Sequence, residues 1–288
     1  PFPGTTLKRT CHLISFSVMK LIFALLAMLP LACGGQASAG RVLTLTGSST
    51  IAPLAAEMGL RFEAVNPGSR VDVQSGGSSR GIADVRAGHA DIGMASRALA
   101  ASEEDLTPVT IARDGVALIV HADNVVTELT SEQVRRIYLG EASDWSEFGG
   151  TSGPITVVNK AEGRATLTVF LEHFGLDSRA IQADVIAGEN EQAIKTVAGT
   201  PGAIGYVSIG TAMVDREAGV TIKLLALDGV QATHQNVSSG AYPLSRPLNL
   251  VLTTSPSPLA LEFIEFARAP EQNDLILRES FVPMAEKL

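Results

Sequence analysis

The chain has 288 residues, 45% apolar and 18% charged, enough for one large domain or for two lobes with proper cores. Its formal charge is −8; residues 1–39 hold Lys8, Arg9 and Lys20 and no acid, so without them the charge falls by three, to −11. Such a body is a poor partner for nucleic acid or anionic membrane surfaces, and an aromatic content of 5% argues against a base-stacking platform.

Residues 1–39 read as a leader. Lys20 precedes the apolar run Leu21–Ala32, short for a membrane span and suited to a signal-peptide core. Two cleavage readings compete. Ala37-Ser38-Ala39 is the small-x-small pattern of ordinary cleavage before Gly40, and Leu31-Ala32-Cys33-Gly34 resembles a lipoprotein box in which Cys33 carries the anchor. Met19-Lys20 looks like a natural start, which makes residues 1–18 an upstream extension. Cys11 and Cys33 both lie in the leader, so the body is expected to have no disulfide and no thiolate chemistry. The histidines at 12, 89, 121, 173 and 234 lack metal-ligand spacing, and no metal or cofactor is expected.

From residue 41 strands and helices alternate. Val42–Leu45, Val71–Val73 and Ile92–Met94 have strand character; Pro53–Val65 carries Leu54, Met58 and Phe62 on one helical face, and Asn66-Pro67-Gly68 ends it. Ile82–Gly88 begins a shorter helix, Glu103–Leu106 is helix-like, and Gly115–Val120 reads as a buried strand. A second block follows: a helix from Thr130-Ser131-Glu132, a loop around Trp145, strand Ile155–Val158, helix Thr166–Phe174, strand Ala183–Ile186, helix Asn190–Val197 and strand Ala203–Val207. Val220–Leu227 is a further strand, Leu248–Thr253 a strand returning to the first block, and Pro258–Ala267 a closing helix. The alternation predicts an α/β fold with ligands at the carboxyl ends of the strands.

Three loops occupy such ends: Thr46–Thr50, Ser75–Gly81 and Ala95-Ser96-Arg97. Gly admits close backbone approach, free N–H groups at helix starts favour negative charge, and Ser and Thr add O–H donors. The second block offers one similar loop, Asn159–Thr166, with the cations Lys160 and Arg164 and first-turn N–H groups at Ala165 and Thr166. Together these predict a small oxyanion held between two blocks, with hydroxyls from one and cations from the other.

Thr46–Thr50, the Gly76–Gly81 loop, Ala90-Asp91-Ile92-Gly93, Gly163–Thr166 and Gly199–Tyr206 resemble, in order, the substrate-binding proteins of phosphate-specific ABC transporters. The resemblance runs from about residue 43 to the C-terminus. It implies a type II periplasmic-binding-protein fold: two α/β lobes joined by two crossover strands, with phosphate in the cleft and lobe closure on binding. The organisation it implies is a leader over 1–39, a first lobe over 40–122, a second over 123–243 and a return to the first over 244–288, with crossings after Val120 and near Pro243–Leu248. It also implies delivery to an ABC permease in the inner membrane by a periplasmic or surface-anchored monomer that does no chemistry.

Carried over residue by residue, the resemblance gives the phosphate set Ser49, Thr50, Ile51, Ser78, Ser79, Arg97, Lys160, Arg164, Ala165 and Thr166. Arg97 stands where the best-known members have an Asp that accepts the proton of monohydrogen phosphate. The Lys160 position is usually Arg, the Arg164 position Ser and the Ala165 position Gly. The site is thus more basic than the family pattern, which opens the selectivity toward arsenate, sulfate or another oxyanion.

Plainer roles stand beside these. Ser48 and Ser49 serve as helix caps, Arg97 as an ion-pair partner, and Lys160 and Arg164 as a solvated face. Glu162 orients a neighbouring cation, Asn190 caps a helix, and Tyr206 and Trp145 fill cores. Two other functions compete with the receptor: a phosphate-ester hydrolase with a Ser nucleophile, which would need a base in reach, and a surface sensor or adhesive protein reusing the fold.

Overall fold

The structure, a computed structural model, describes residues 41–284; the leader, with Cys11, Cys33 and both cleavage patterns, lies outside them. The first strand is β1 (Arg41–Gly47), followed by α1 (Ala52–Val65), β2 (Ser69–Ser75), α2 (Ser78–Arg86) and β3 (Ile92–Ala95). The spacing of Leu54, Met58 and Phe62 buries one face of α1 as expected, and Asn66 closes it with its N–H on the Phe62 carbonyl. A single 3-10 turn, Ala101–Glu103, replaces the helix expected at Glu103–Leu106. The long strand β4 (Thr107–His121) absorbs the run Gly115–Val120 and eight residues before it.

The second half comprises β5 (Glu128–Leu129), α3 (Ser131–Tyr138), β6 (Thr156–Lys160), α4 (Ala165–Phe174), β7 (Val185–Ala187), α5 (Asn190–Gly199), β8 (Ala203–Ser208) and α6 (Ile209–Glu217). Then come β9 (Ile222–Leu224), β10 (Ala226–Leu227), α7 (His234–Ser238), β11 (Ser245–Leu252), α8 (Pro258–Arg268), α9 (Asn273–Arg278) and β12 (Val282–Pro283). The single strand expected over Val220–Leu227 is two. β9 pairs with β4, whereas β10 pairs with β5, and the switch occurs at Leu225, whose N–H bonds to the Leu118 carbonyl.

The main sheet runs β2-β1-β3-β11-β4-β8-β6-β7. β1 pairs in parallel with β2 and β3, and β6 in parallel with β7 and β8. β4 and β11 run antiparallel through the middle. β4 pairs with β11 up to Gly115 and with β8 from Val116, so the crossing falls inside the strand rather than after Val120. The apolar cores divide at the same place. Leu43, Phe62, Met94, Ala112, Leu248 and Phe263 pack in the first lobe, and Val116, Tyr138, Phe170, Tyr206 and Leu244 in the second. Phe263 meets Phe62 edge-on at 5.3 Å, and Phe170 stacks on Tyr206 at 3.9 Å. This topology turns the carboxyl ends of β1, β2 and β3 toward those of β6 and β7 across the crossover strands.

Candidate functional site

The first lobe contributes hydroxyls. Gly47, at φ +132°, lets the loop after β1 lie against β3; a Cβ there would stand 2.3 Å from the Met94 carbonyl oxygen. Ser48, Thr50, Ser78 and Ser96 are all buried as a result. The Ser48 and Ser96 hydroxyls share a hydrogen bond of 2.9 Å, and the Ser96 N–H donates to Ser78 Oγ at 3.2 Å. The Ile51 N–H turns back to the Ser48 carbonyl at 3.2 Å.

Beneath them, on the crossover strands, lies a buried ion pair. Arg246 of β11 donates from Nε and Nη2 to Asp114 Oδ2 of β4 at 3.2 and 2.8 Å. Its Nη1 reaches Ser96 Oγ at 3.3 Å and its Nη2 reaches Thr50 Oγ1 at 3.2 Å. The other Asp114 oxygen accepts the Gly210 N–H at 3.2 Å. With both side chains 1% exposed, such a pair holds only because nearly every donor and lone pair is engaged.

The second lobe contributes cations. Lys160, the last residue of β6, is 2% exposed; its Nζ donates to the Glu189 carbonyl at 2.9 Å and to Asn190 Oδ1 at 3.2 Å, both neutral acceptors. Burial pushes its pKa down to about 7; Glu189 and Glu191 oppose the shift, and Arg246 and Arg164 add to it. Arg164 pairs with Glu189 Oε1 at 2.7 Å, while Glu189 Oε2 is buried without a donor. Asn190 also crosses the cleft, donating from Nδ2 to Thr50 Oγ1 at 3.2 Å and to Thr211 Oγ1 at 3.3 Å. A second link joins the lobes: the Ser79 N–H donates to the Gly163 carbonyl at 3.2 Å.

Two further features make this cleft ready for an acceptor. Among the described helices of eight residues or more, α3, α6 and α8 start with a side-chain cap from Thr130, Ser208 and Ser257. The starts of α1, α2, α4 and α5, at Ile51, Gly77, Arg164 and Glu189, have none. All four lie at the cleft, where α6 also starts but with its Ser208 cap; the N–H groups of Ala165 and Thr166 have no acceptor within their helix. The hydroxyls are poised likewise. Thr50 Oγ1 accepts from both Asn190 and Arg246, which engages both of its lone pairs, and Ser78 Oγ accepts from the Ser96 N–H; among the described residues neither O–H has an acceptor, so both protons remain for a ligand. A ligand with acceptors and negative charge matches this set.

Of the sequence-derived candidates, Thr50, Ile51, Ser78, Lys160, Arg164, Ala165 and Thr166 come together here. Ser49 lines a crevice of about 420 Å³ with Glu189, Asn190 and Thr211 at the cleft edge. Ser79 is exposed, and its N–H is taken by Gly163. Arg97 differs from expectation. Its Nη1 and Nη2 grip the two carboxylate oxygens of Glu103 at 2.7 and 2.8 Å, and Asn249 holds its carbonyl at 2.8 Å. It therefore fixes the third loop, its guanidinium taken by Glu103. Trp145 and Tyr206 are buried packing residues; the indole donates to the Gly202 carbonyl, and Tyr206 bonds Asn159 and the Lys160 N–H.

Sequence reasoning missed Arg246 and Asp114, named Ser96 within the third loop without placing it in the phosphate set, and gave Asn190 only a capping role. A charge inside each apolar crossover strand was the available signal for the first two. Nothing local marked Asn190, whose partner Thr50 is 140 residues away. Ser48 and Ser96 bond one another, Ser96 also bonds Arg246, and Ser78 accepts the Ser96 N–H; among the described residues no His bonds any of them as the base a hydrolase would need.

Two lobes hinged on antiparallel crossover strands, with an anion-ready cleft at the strand ends, define a two-lobe binding protein. A family model described as a PBP superfamily domain matches residues 34–271. The chain is 30% identical to a phosphate ABC transporter substrate-binding protein from Clostridium perfringens, solved with bound phosphate, over 85% of this chain and 100% of that one, with a TM-score of 0.79. An ABC-type phosphate transport receptor from Vibrio cholerae matches at 29% identity over 84% of this chain and all of its own, with a TM-score of 0.71. The phosphate-binding protein PstS of Bacillus subtilis is 26% identical over 93% of this chain and 94% of its own. The chain belongs to the PBP superfamily and, within it, to the family of phosphate ABC transporter substrate-binding proteins.

Proposed function

We propose that this protein captures inorganic phosphate between its lobes outside the cytoplasm, as a monomer, and hands it to an ABC permease. The observation that carries the reading is Lys160, a buried side chain bonded among the described residues only to neutral acceptors, facing hydroxyls that already accept hydrogen bonds and keep their O–H protons. Thr50, Ser78 and one hydroxyl of the Ser48–Ser96 pair donate from the first lobe. The N–H groups of Ala165 and Thr166, with Lys160 and Arg164, donate from the second. Arg246 lends its charge from below while staying bonded to Asp114. Extracytoplasmic placement is supported by the leader pattern in residues 1–39 and by relatives that are phosphate-transport receptors. Among the described residues no helix is long and apolar enough to cross a membrane.

The donor-less Glu189 Oε2 is the acceptor open to a ligand O–H. Monohydrogen phosphate and arsenate carry such a proton and sulfate does not, so sulfate would leave this oxygen facing an anion unpaired. Titration calorimetry with the three anions tests both points. Binding of phosphate and arsenate, at least about tenfold tighter than sulfate, is expected. No heat with phosphate at micromolar protein removes the ligand assignment, and equal affinity for sulfate removes the role of Glu189.

A further inference from the structure

We propose that Lys160 makes anion capture proton-coupled: the unliganded protein holds this side chain as a neutral amine in mildly alkaline solution, and an entering oxyanion draws a proton onto it. The proposal rests on the reading of the cleft as an oxyanion site. The geometry carries it. Nζ has two protein acceptors, the Glu189 carbonyl and Asn190 Oδ1. A neutral amine has two N–H groups, and these acceptors satisfy both. An ammonium has a third N–H, which needs an acceptor that the described residues do not supply.

The charges around Lys160 point the same way. Arg164 at the start of α4 and Arg246 on β11 disfavour a third cation. Glu189 and Glu191 at the start of α5 favour one, but the Glu189 carboxylate already bonds Arg164, and Asp114 on β4 bonds Arg246. Tyr206 on β8 stays neutral, since burial raises its pKa. Desolvation is the largest influence, and the amine is pushed down to about 7. A bound oxyanion supplies both the missing acceptor and the opposite charge, so the proton is retained to higher pH. Below about pH 7 the lysine is already charged and nothing is taken up. Above it, each pH unit weakens binding by up to about tenfold relative to a site of fixed charge.

The test is calorimetry with inorganic phosphate at pH 8, in buffers of different ionisation enthalpy, on the wild type and Lys160→Arg. Arginine keeps its charge at every accessible pH, and the anion's own protonation contributes equally to both proteins. A side chain titrating near 7 is mostly neutral at pH 8, so the wild type is expected to take up more protons per phosphate than the variant, approaching one. Equal uptake overturns the coupling alone, whereas absence of heat in the wild type removes the site reading as well. Should Lys160→Arg not bind, carbon-13 labelling of lysine Cε gives a direct reading. The signal missing from the variant is expected to titrate near pH 7 in phosphate-free wild type and to stay unmoved to pH 9 in saturating phosphate. A midpoint near 10 without phosphate overturns the proposal.

Discussion

Arg164 and Arg97 are both paired with a glutamate, yet they do different work. Arg164 is 17% exposed and bonds Glu189 through Nη1, which leaves the rest of its fork for a ligand beside Ala165 and Thr166. Arg164→Ala removes a charge-assisted hydrogen bond, worth about 1.5–3 kcal/mol, and frees a carboxylate next to the anion. Phosphate affinity is therefore expected to fall at least about tenfold by calorimetry; an unchanged value would assign the guanidinium to Glu189 alone. Arg97 acts on the fold through Glu103. The Arg97 hydrogen bonds hold the Glu103 carboxyl below its usual range, against desolvation and with help from the Ala100 N–H. A depressed carboxylate contributes stability that is present above its unfolded pKa, about 4.3, and is lost as pH falls through the folded value. Urea unfolding of wild type and Glu103→Gln is expected to show an advantage for wild type at pH 7 that shrinks below about pH 4.3. A pH-independent difference would place the effect in packing.

The division between capped and uncapped helix starts is the main pattern among the elements. Thr130 and Ser257 close helices away from the cleft, and Ser208 closes α6 at its edge, where Thr211 meets Asn190. At the cleft, the start of α2 falls to Gly77, a residue with no side chain and φ +96°. A Cβ there would lie 2.9 Å from the Gly163 carbonyl oxygen and 3.1 Å from Arg164 Cδ, both on the opposite lobe. Gly77→Ala thus meets two costs: a backbone conformation that side chains avoid, about 1–3 kcal/mol, and a clash that appears only when the lobes approach. Lower stability in urea and at least about tenfold weaker phosphate binding are expected. Full affinity in the variant would show that the α2 start and the Gly163 loop need not touch in the bound state.

For the whole molecule, the balance is between like charges and bridging contacts. Arg164 and Arg246 repel a protonated Lys160, while the Asn190–Thr50 and Ser79–Gly163 bonds draw the lobes together. An anion of charge −2 reverses the first influence and leaves the second in place. Solution scattering is expected to show the radius of gyration contracting on addition of phosphate and not on addition of chloride at equal ionic strength. No change would mean that the bridging contacts close the cleft unaided. The hinge for such motion is β4 and β11, where the cores divide between Ala112 and Val116 and between Leu244 and Leu248.

The alternation of strands and helices, the Gly, Ser and Thr loops at strand ends, and the cations Lys160 and Arg164 were legible in the sequence. Each is a local pattern, set by side-chain period, turn chemistry or spacing along one loop. The third loop was misread from the same kind of information. Arg97 stood beside a plausible site, and Glu103, only six residues on, took its guanidinium because a 3-10 turn brought the carboxylate round. The floor of the cleft lay beyond local reach. Arg246 and Asp114 are 132 residues apart and meet because two crossover strands pair in antiparallel register. The Lys160–Asn190–Thr50 chain forms because the topology faces one set of strand ends toward the other. Sequence by itself determined the donors and charges at the strand ends. Only the tertiary structure decided which of them share buried space, and with it a desolvated lysine, a doubly accepting threonine and a carboxylate oxygen left without a donor.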